Sequence, residues 1–450
     1  MPAPRPLLLS EHIVRHLRLA VPVMLARAGM IIMVLVDAIM AGRAGVGPLA
    51  HYAIALAPHL LVLVLGIGLL VGTIILTAQA DGAGRPADCG RVWFVALGMS
   101  CGLGLIAALP LLWGETLLLG LGQEAGLAAG GGRALHMFAL GMPATLMYIA
   151  TTFFLEGIGR PKPGMVIALS ANLLNAGINW LLITGEMGAP AMGAAGAALG
   201  ITITRWVMLF ALVGYALAMR DAAGYGLRVR PSGIRTLVRK LLRIGAPLSI
   251  AAGLESACFS AVATFAGWLG EAPLAAYQIA HGAVTFVFML AIGLSTATSI
   301  RVANAVGRHD RAGMAAAGWT GIGMIAAFAA VMGLAIAFFS GEITALYSRD
   351  ASVLALAEPL LAIVAVMVVV DGIQAVTLGA LRATGDVIFP TITYGLCFWA
   401  LGMPVAYLLA FEAGAGVAGL LWGLFAALVC ALLALVWRFI LVARRPVTPL

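Results

Sequence analysis

At 450 residues, 63% hydrophobic and only 10% charged, the chain is far more apolar than the roughly 45–50% of a soluble globular domain, which excludes water as its main solvent. Its net charge of +8 follows the partition of arginines between the two sides of a membrane, so it gives no reason to invoke a nucleic acid partner. Five scattered cysteines, Cys89, Cys101, Cys258, Cys397 and Cys430, show no C-x-x-C spacing and point to neither a disulfide framework nor a metal cluster.

The N-terminal segment Met1 to Arg18 is basic. The apolar run after it is too long for a signal-peptide core and lacks a small-residue cleavage site, so the segment is expected to stay in place. From there, apolar stretches near the ~20 residues that a bilayer core demands recur along the chain. Spans are predicted at 19–41, 50–79, 92–113, 134–157, 165–185 and 194–219, then at 244–268, 274–303, 314–340, 353–381, 389–411 and 417–441. The 56 glycines alternate with Leu, Ile, Val and Met, and they read as surfaces where helix backbones approach closely, as at Gly193, Gly196 and Gly200.

Between these spans the basic residues segregate. One side collects Arg15, Arg18, Arg85, Arg91, Arg160, Lys162, the run Arg228 to Arg243, Arg308, Arg311, Arg382, Arg444 and Arg445, and the other has Arg43, Arg133 and Arg349. Positive charge marks the cytoplasmic side, which puts both termini inside.

The second six spans repeat the first. A shift of 225 residues lays 20–82 on 245–307 without a gap, matching Pro22 to Pro247, Gly45 to Gly270, Pro48 to Pro273, Tyr52 to Tyr277 and Gly68 to Gly293. A weaker echo pairs Gly159 with Gly385, and Gly193, Gly196 and Gly200 with Gly416, Gly419 and Gly423. Six spans per copy is even, so both copies enter the bilayer from the same side. The expected fold is all-α and integral to the membrane, with twelve transmembrane helices in two parallel six-helix repeats. The N-terminal lobe falls at 1–219, a cytoplasmic linker at 220–243 and the C-terminal lobe at 244–450. Parallel repeats of this kind are a transporter arrangement, with substrate held where the repeats meet.

Charges at bilayer depth cost at least ~2.5 kcal/mol each and so need a partner or a function. The acids are Asp37 in span one, Glu255 in span seven and Asp371 in span ten, and the bases are Arg27 and Arg205. Burial disfavours a charged carboxylate without a cationic partner, so such a group either takes a proton or holds Na⁺ among neighbouring oxygens. For Asp37 the alternative is an ion pair with Arg205, while Arg27, nearer the cytoplasmic end, is expected to snorkel. Asn172, Asn175 and Asn179 stack along one face of span five, either as interhelical glue or as the wall of a polar site. His59, His136 and His281 form no spaced cluster, and no zinc-protease, serine-hydrolase or P-loop motif occurs.

These residues resemble the multidrug and toxic compound extrusion family, in its NorM-like branch. The likeness is carried by Val36-Asp37 through Gly42, by Gly159 through Pro163 leading to Asn175 and Asn179, and by Gly193-Ala-Ala-Gly196. In the second half it rests on Gly245-Ala-Pro247 before Glu255, Ala275 to Gln278, Ser299-Ile-Arg301, Asp371 to Gln374 and Leu381 to Asp386. The resemblance implies a two-lobed exporter that exchanges lipophilic, often cationic compounds for Na⁺ or H⁺, with no other cofactor and no enzymatic step. It also implies an N-lobe site of Asp37, Asn175, Asn179 and Thr202 and a C-lobe site of Glu255 and Asp371, where Na⁺ is a candidate ligand. Gln278, Gln374 and Arg205 are secondary candidates. Relatives often carry an aspartate where Asn179 stands, and some a tyrosine where Met367 stands; loss of the N-lobe acid shifts the expected coupling toward Glu255 and Asp371.

The mechanism expected is antiport by competition, in which cation loading of Glu255 and Asp371 from outside drives drug release. The protein is expected to act as a monomer among the lipids of a bacterial inner membrane. The nearest rival is a lipid-linked saccharide flippase of the same superfamily, which calls for a cavity of several arginines; an intramembrane enzyme is a more distant one.

Overall fold

The computed structural model describes residues 9–188, 190–227, 233–348 and 350–450; Met1 to Leu8, Ala189, part of the basic run at 228–232, and Arg349 lie outside the described residues. Among the described residues, twelve helices are long and apolar enough to cross a membrane. No strand occurs among the described residues.

The first repeat comprises α1 (Leu9–Arg43), α2 (Val46–Gly82), α3 (Pro86–Leu112), the short α4 (Gly114–Gly120), α5 (Ala125–Gly157), α6 (Lys162–Thr184) and α7 (Ala194–Ala218). The second comprises α8 (Ile234–Leu269), α9 (Glu271–Gly307), α10 (Arg311–Phe338), the short α11 (Ser340–Tyr347) and α12 (Ala351–Ala383). A span at Ile388–Glu412 follows, built from α13 (Ile388–Tyr394), a π-helical stretch, α14 (Met403–Tyr407) and a second π stretch, and α15 (Gly416–Arg444) ends the chain.

Several helices outrun the apolar windows, because a helix continues past the bilayer wherever its backbone stays hydrogen-bonded. Thus α1 begins ten residues before the predicted span start at 19, and α8 begins at Ile234, inside the segment read as linker. Pro22, Pro58, Pro110, Pro143, Pro247 and Pro359 all sit inside helices. In a packed membrane bundle, neighbouring groups re-satisfy the carbonyls that proline frees.

The duplication is visible in backbone geometry. Gly45 and Gly270, paired by the 225-residue shift, are the N-caps of α2 and α9 with φ of 133° and 124°, a region in which a side chain is strained. The later pair Gly159 and Gly385 also shares positive φ, 73° and 86°.

Backbone contacts divide the chain into two compact units, one of Leu25–Ser249 and one of residues up to Met24 with Ile250–Leu450. The two boundaries fall at repeat-equivalent places, 225 residues apart. In the first unit a Cβ on Gly68 of α2 would lie 2.5 Å from Ser249 Cα of α8; in the other, a Cβ on Gly293 of α9 would lie 2.3 Å from Met24 Cγ of α1. Each unit therefore seats the first turns of a helix whose remainder belongs to the other, at a glycine that admits the neighbour.

Outside the spans, Arg160 clamps Asp221 with two hydrogen bonds, of 2.9 and 2.5 Å, tying the α5–α6 turn to the segment after α7. That guanidinium holds the Asp221 carboxyl below its ordinary value.

Candidate functional site

In the first unit the site is built on α1 and α6. Asn175 and Asn179 lie one helical turn apart, so their amides share a face, and both donate through Nδ2 to Oδ1 of Asp37 on α1. All three residues are fully buried. Gly200 on α7 makes room, since a Cβ there would fall 2.1 Å from Asn179 Oδ1. Thr204 donates to Asn175 Oδ1 at 3.3 Å and fixes that amide's orientation. The remaining oxygens, Asp37 Oδ2, Asn179 Oδ1 and the Tyr52 hydroxyl, are buried without a hydrogen-bond partner. The hydroxyl faces Asp37 from α2 without closing a hydrogen bond of good geometry.

Leaving a buried polar atom unpaired costs ~1–3 kcal/mol. Three such oxygens around a carboxylate make a set that a proton or a small cation would satisfy. Among the described residues Asp37 makes no salt bridge: Arg205 acts on it electrostatically from a distance, and its guanidinium approaches Met30 Sδ at 3.7 Å. Arg27 stacks over Phe153 at 5.9 Å.

Two other polar groups of the N-lobe donate away from the Asp37 carboxylate. The asparagine ladder is not continuous, because Asn172 donates to the Ala168 carbonyl of its own helix at 2.9 Å and leaves the Asp37 cluster to the other two. Thr202 donates to the Met137 carbonyl on α5 at 2.6 Å, so its hydroxyl serves helix packing rather than the carboxylate.

In the other unit Asp371 and Gln374 share one face of α12, and Glu255 on α8 interacts electrostatically with Asp371. Among the described residues neither carboxylate makes an ion pair. Gln374 donates to the Tyr394 hydroxyl at 2.9 Å, and that tyrosine interacts with both acids. Met367 is fully buried, so Tyr394 on α13 supplies a phenol from a different helix. Gln278 on α9 is exposed.

Tyr394 carries no signal in the sequence, and Tyr52 stands there only as a marker of the repeat. A contrast within the pair reveals the latter's role: Tyr277 donates to the Phe259 carbonyl at 3.0 Å, while Tyr52 has no such bond and faces an acid. His59 stacks on Phe138 at 4.3 Å and His281 on Tyr277 at 5.8 Å, as packed singletons.

Duplicated membrane helices that bury carboxylates without ion pairs define a polytopic membrane transporter. The MatE family model matches residues 22–181 and again 247–408, one match in each repeat. The chain belongs to the MatE family, whose members are transporters rather than enzymes. A probable multidrug resistance protein NorM of Caulobacter vibrioides is 34% identical over 410 residues, covering 91% of this chain and 87% of its own. A namesake from Bradyrhizobium diazoefficiens is 32% identical, covering 97% and 95%. The eukaryotic MATE transporter AtDTX14 superposes with a TM-score of 0.88 at 18% identity, over 96% of both chains. The bent form of the Vibrio cholerae transporter VcmN gives 0.85 at 18% identity, over 97% and 98%, so these two structures speak for the fold alone.

Proposed function

We propose that the chain is a secondary active multidrug exporter of lipophilic, cationic compounds, driven by inward flow of Na⁺ or H⁺ through alternating access. The observation that carries this reading is the pair of acid clusters without ion pairs, buried Asp37 with Asn175 and Asn179, and half-buried Glu255 with buried Asp371. A carboxylate neutralised by arginine has nothing to exchange, whereas one surrounded by unpaired oxygens can take up and release a cation in each cycle. The multidrug resistance names of the bacterial relatives support the substrate class.

In this reading Glu255 and Asp371 load the cation from outside, and loading expels the drug, because a ligand shifts an equilibrium only by binding its two states differently. Asn179 removes an acid from the N-lobe cluster, which leaves Asp37 as its one charge and the C-lobe as the main coupling site. The lobes at 1–219 and 244–450 act through the linker at 220–243. The protein works as a monomer in a bacterial inner membrane with both termini cytoplasmic, as the arginine distribution supports.

Uptake of a fluorescent cation into inverted vesicles tests the assignment. Glu255→Gln and Asp371→Asn are expected to lose most gradient-driven transport, and Asp37→Asn to lose part of it. Wild-type rates in both C-lobe variants would refute the coupling role.

A further inference from the structure

Arg301 of α9 aligns with Leu76 of the first repeat. Its guanidinium donates to the His12 carbonyl at 2.8 Å, and it reaches Nδ1 of His16 at 2.6 Å and Nδ1 of His12 at 2.8 Å. Both histidines are buried, one turn apart on the first turns of α1. Their counterparts in the other repeat are Leu237 and Leu241 of α8. There the joint is apolar, with Leu241 against Gly72 of α2. One of two equivalent helix contacts has thus been rebuilt from an arginine and two imidazoles.

We propose that Arg301 is a positioning residue which anchors the start of α1, the helix that carries Asp37, and that the anchor holds only while His12 and His16 are neutral. Arginine has donors and no acceptor, so each Nδ1 must present a lone pair to it. Nδ1 of His16 also lies 2.9 Å from the His12 carbonyl, but a proton pointing there is incompatible with the guanidinium N–H at 2.6 Å. The neutral ring therefore carries its proton on Nε2, which is buried without a hydrogen-bond partner and faces the Ala317 backbone of α10. A second proton would set imidazolium against guanidinium at contact distance and leave Arg301 without its acceptors.

The charged groups around the anchor are Glu11 and Arg15 on α1, Arg308 at the end of α9 and Asp310 at the start of α10. Arg301 and Arg15 oppose a further positive charge at His12, and Glu11 and Asp310 favour one. Acidification of this end of the protein releases α1; alkaline conditions hold it.

A nitroxide on Leu9→Cys, an exposed position at the start of α1, reads the anchor in proteoliposomes of the full chain with the native cysteines replaced. The spectrum is expected to sharpen as pH falls below the ordinary histidine range near ~6.5, because burial and the Arg301 guanidinium hold both imidazoles under it. The step should vanish in the His12→Asn/His16→Asn double variant, and Arg301→Leu should be mobile at every pH. Should the double variant fail to reach the membrane, His16→Gln alone must lose the step. A pH-independent wild type, or an unchanged step in the histidine variants, overturns the proposal. The consequence for export rests on the exporter reading. With the cation gradient held constant, wild-type efflux should fall as the pH at this face drops, and the histidine variants should lose that limb. An identical limb in wild type and variants overturns the link to transport. Absent efflux together with an intact mobility step would refute the exporter reading and leave the anchor standing.

Discussion

Asp37 owes its place to two amides and a missing side chain. Asn175 and Asn179 both donate to one carboxylate oxygen, and Gly200 leaves the space that Asn179 occupies. Hydrogen bonds to a charged group contribute ~1.5–3 kcal/mol each. Gly200→Ala, with its Cβ 2.1 Å from Asn179 Oδ1, is therefore expected to cost roughly that much in cation-dependent activity, at least about tenfold. Gly177→Ala on α6, with nothing within 4 Å of the added carbon, should leave activity unchanged, as cation titrations of efflux in vesicles would record. The acids and amides were legible because polar residues in apolar runs stand out. Tyr52 and Tyr394 were not, because an aromatic in a membrane helix is ordinary until its hydroxyl is seen to face a carboxylate.

At the scale of elements, the joints at Gly68 with Ser249 and at Gly293 with Met24 are two copies of one solution to close helix crossing. Overpacking of a tight core costs typically 1–3 kcal/mol. Gly68→Ala and Gly293→Ala should each lower thermal stability in detergent by about that much, Gly68→Ala the more because its neighbour is backbone. Gly98→Ala, which meets nothing within 4 Å, should not. Helix existence followed from apolar length, since a bilayer leaves a buried backbone no other partner than itself. Helix ends did not: the first turns of α1 and α8 are charged, and hydropathy has no means of continuing a helix into water. The π-helical turns at Gly395–Gly402 and Leu408–Glu412 were equally invisible, because they change backbone pairing without changing side-chain pattern.

For the whole molecule, the divergence of the two halves matters more than their likeness. The first keeps Asp37 with amides, the second keeps Glu255 and Asp371 with a phenol, and the Arg301 joint has an apolar counterpart. A cycle that loads its cation chiefly in the second half should respond to whichever gradient that site accepts. With Na⁺ and pH gradients imposed separately on proteoliposomes, one is expected to drive efflux and the other to leave it near background. Glu255→Gln should remove the response, and equal efflux without either gradient would contradict secondary transport.

Length, hydropathy and the 225-residue shift by themselves determined that this is a membrane protein with twelve apolar spans in two parallel repeats. Those features depend on the bilayer and on chain order, both written along one dimension. Tertiary structure alone decided which polar groups meet: that Arg205 makes no salt bridge with Asp37, that Asn172 and Thr202 turn to backbone carbonyls, and that Arg301 finds two histidines from the far end of the chain. Each such choice turns on a few ångströms between residues distant in sequence, which no periodicity encodes.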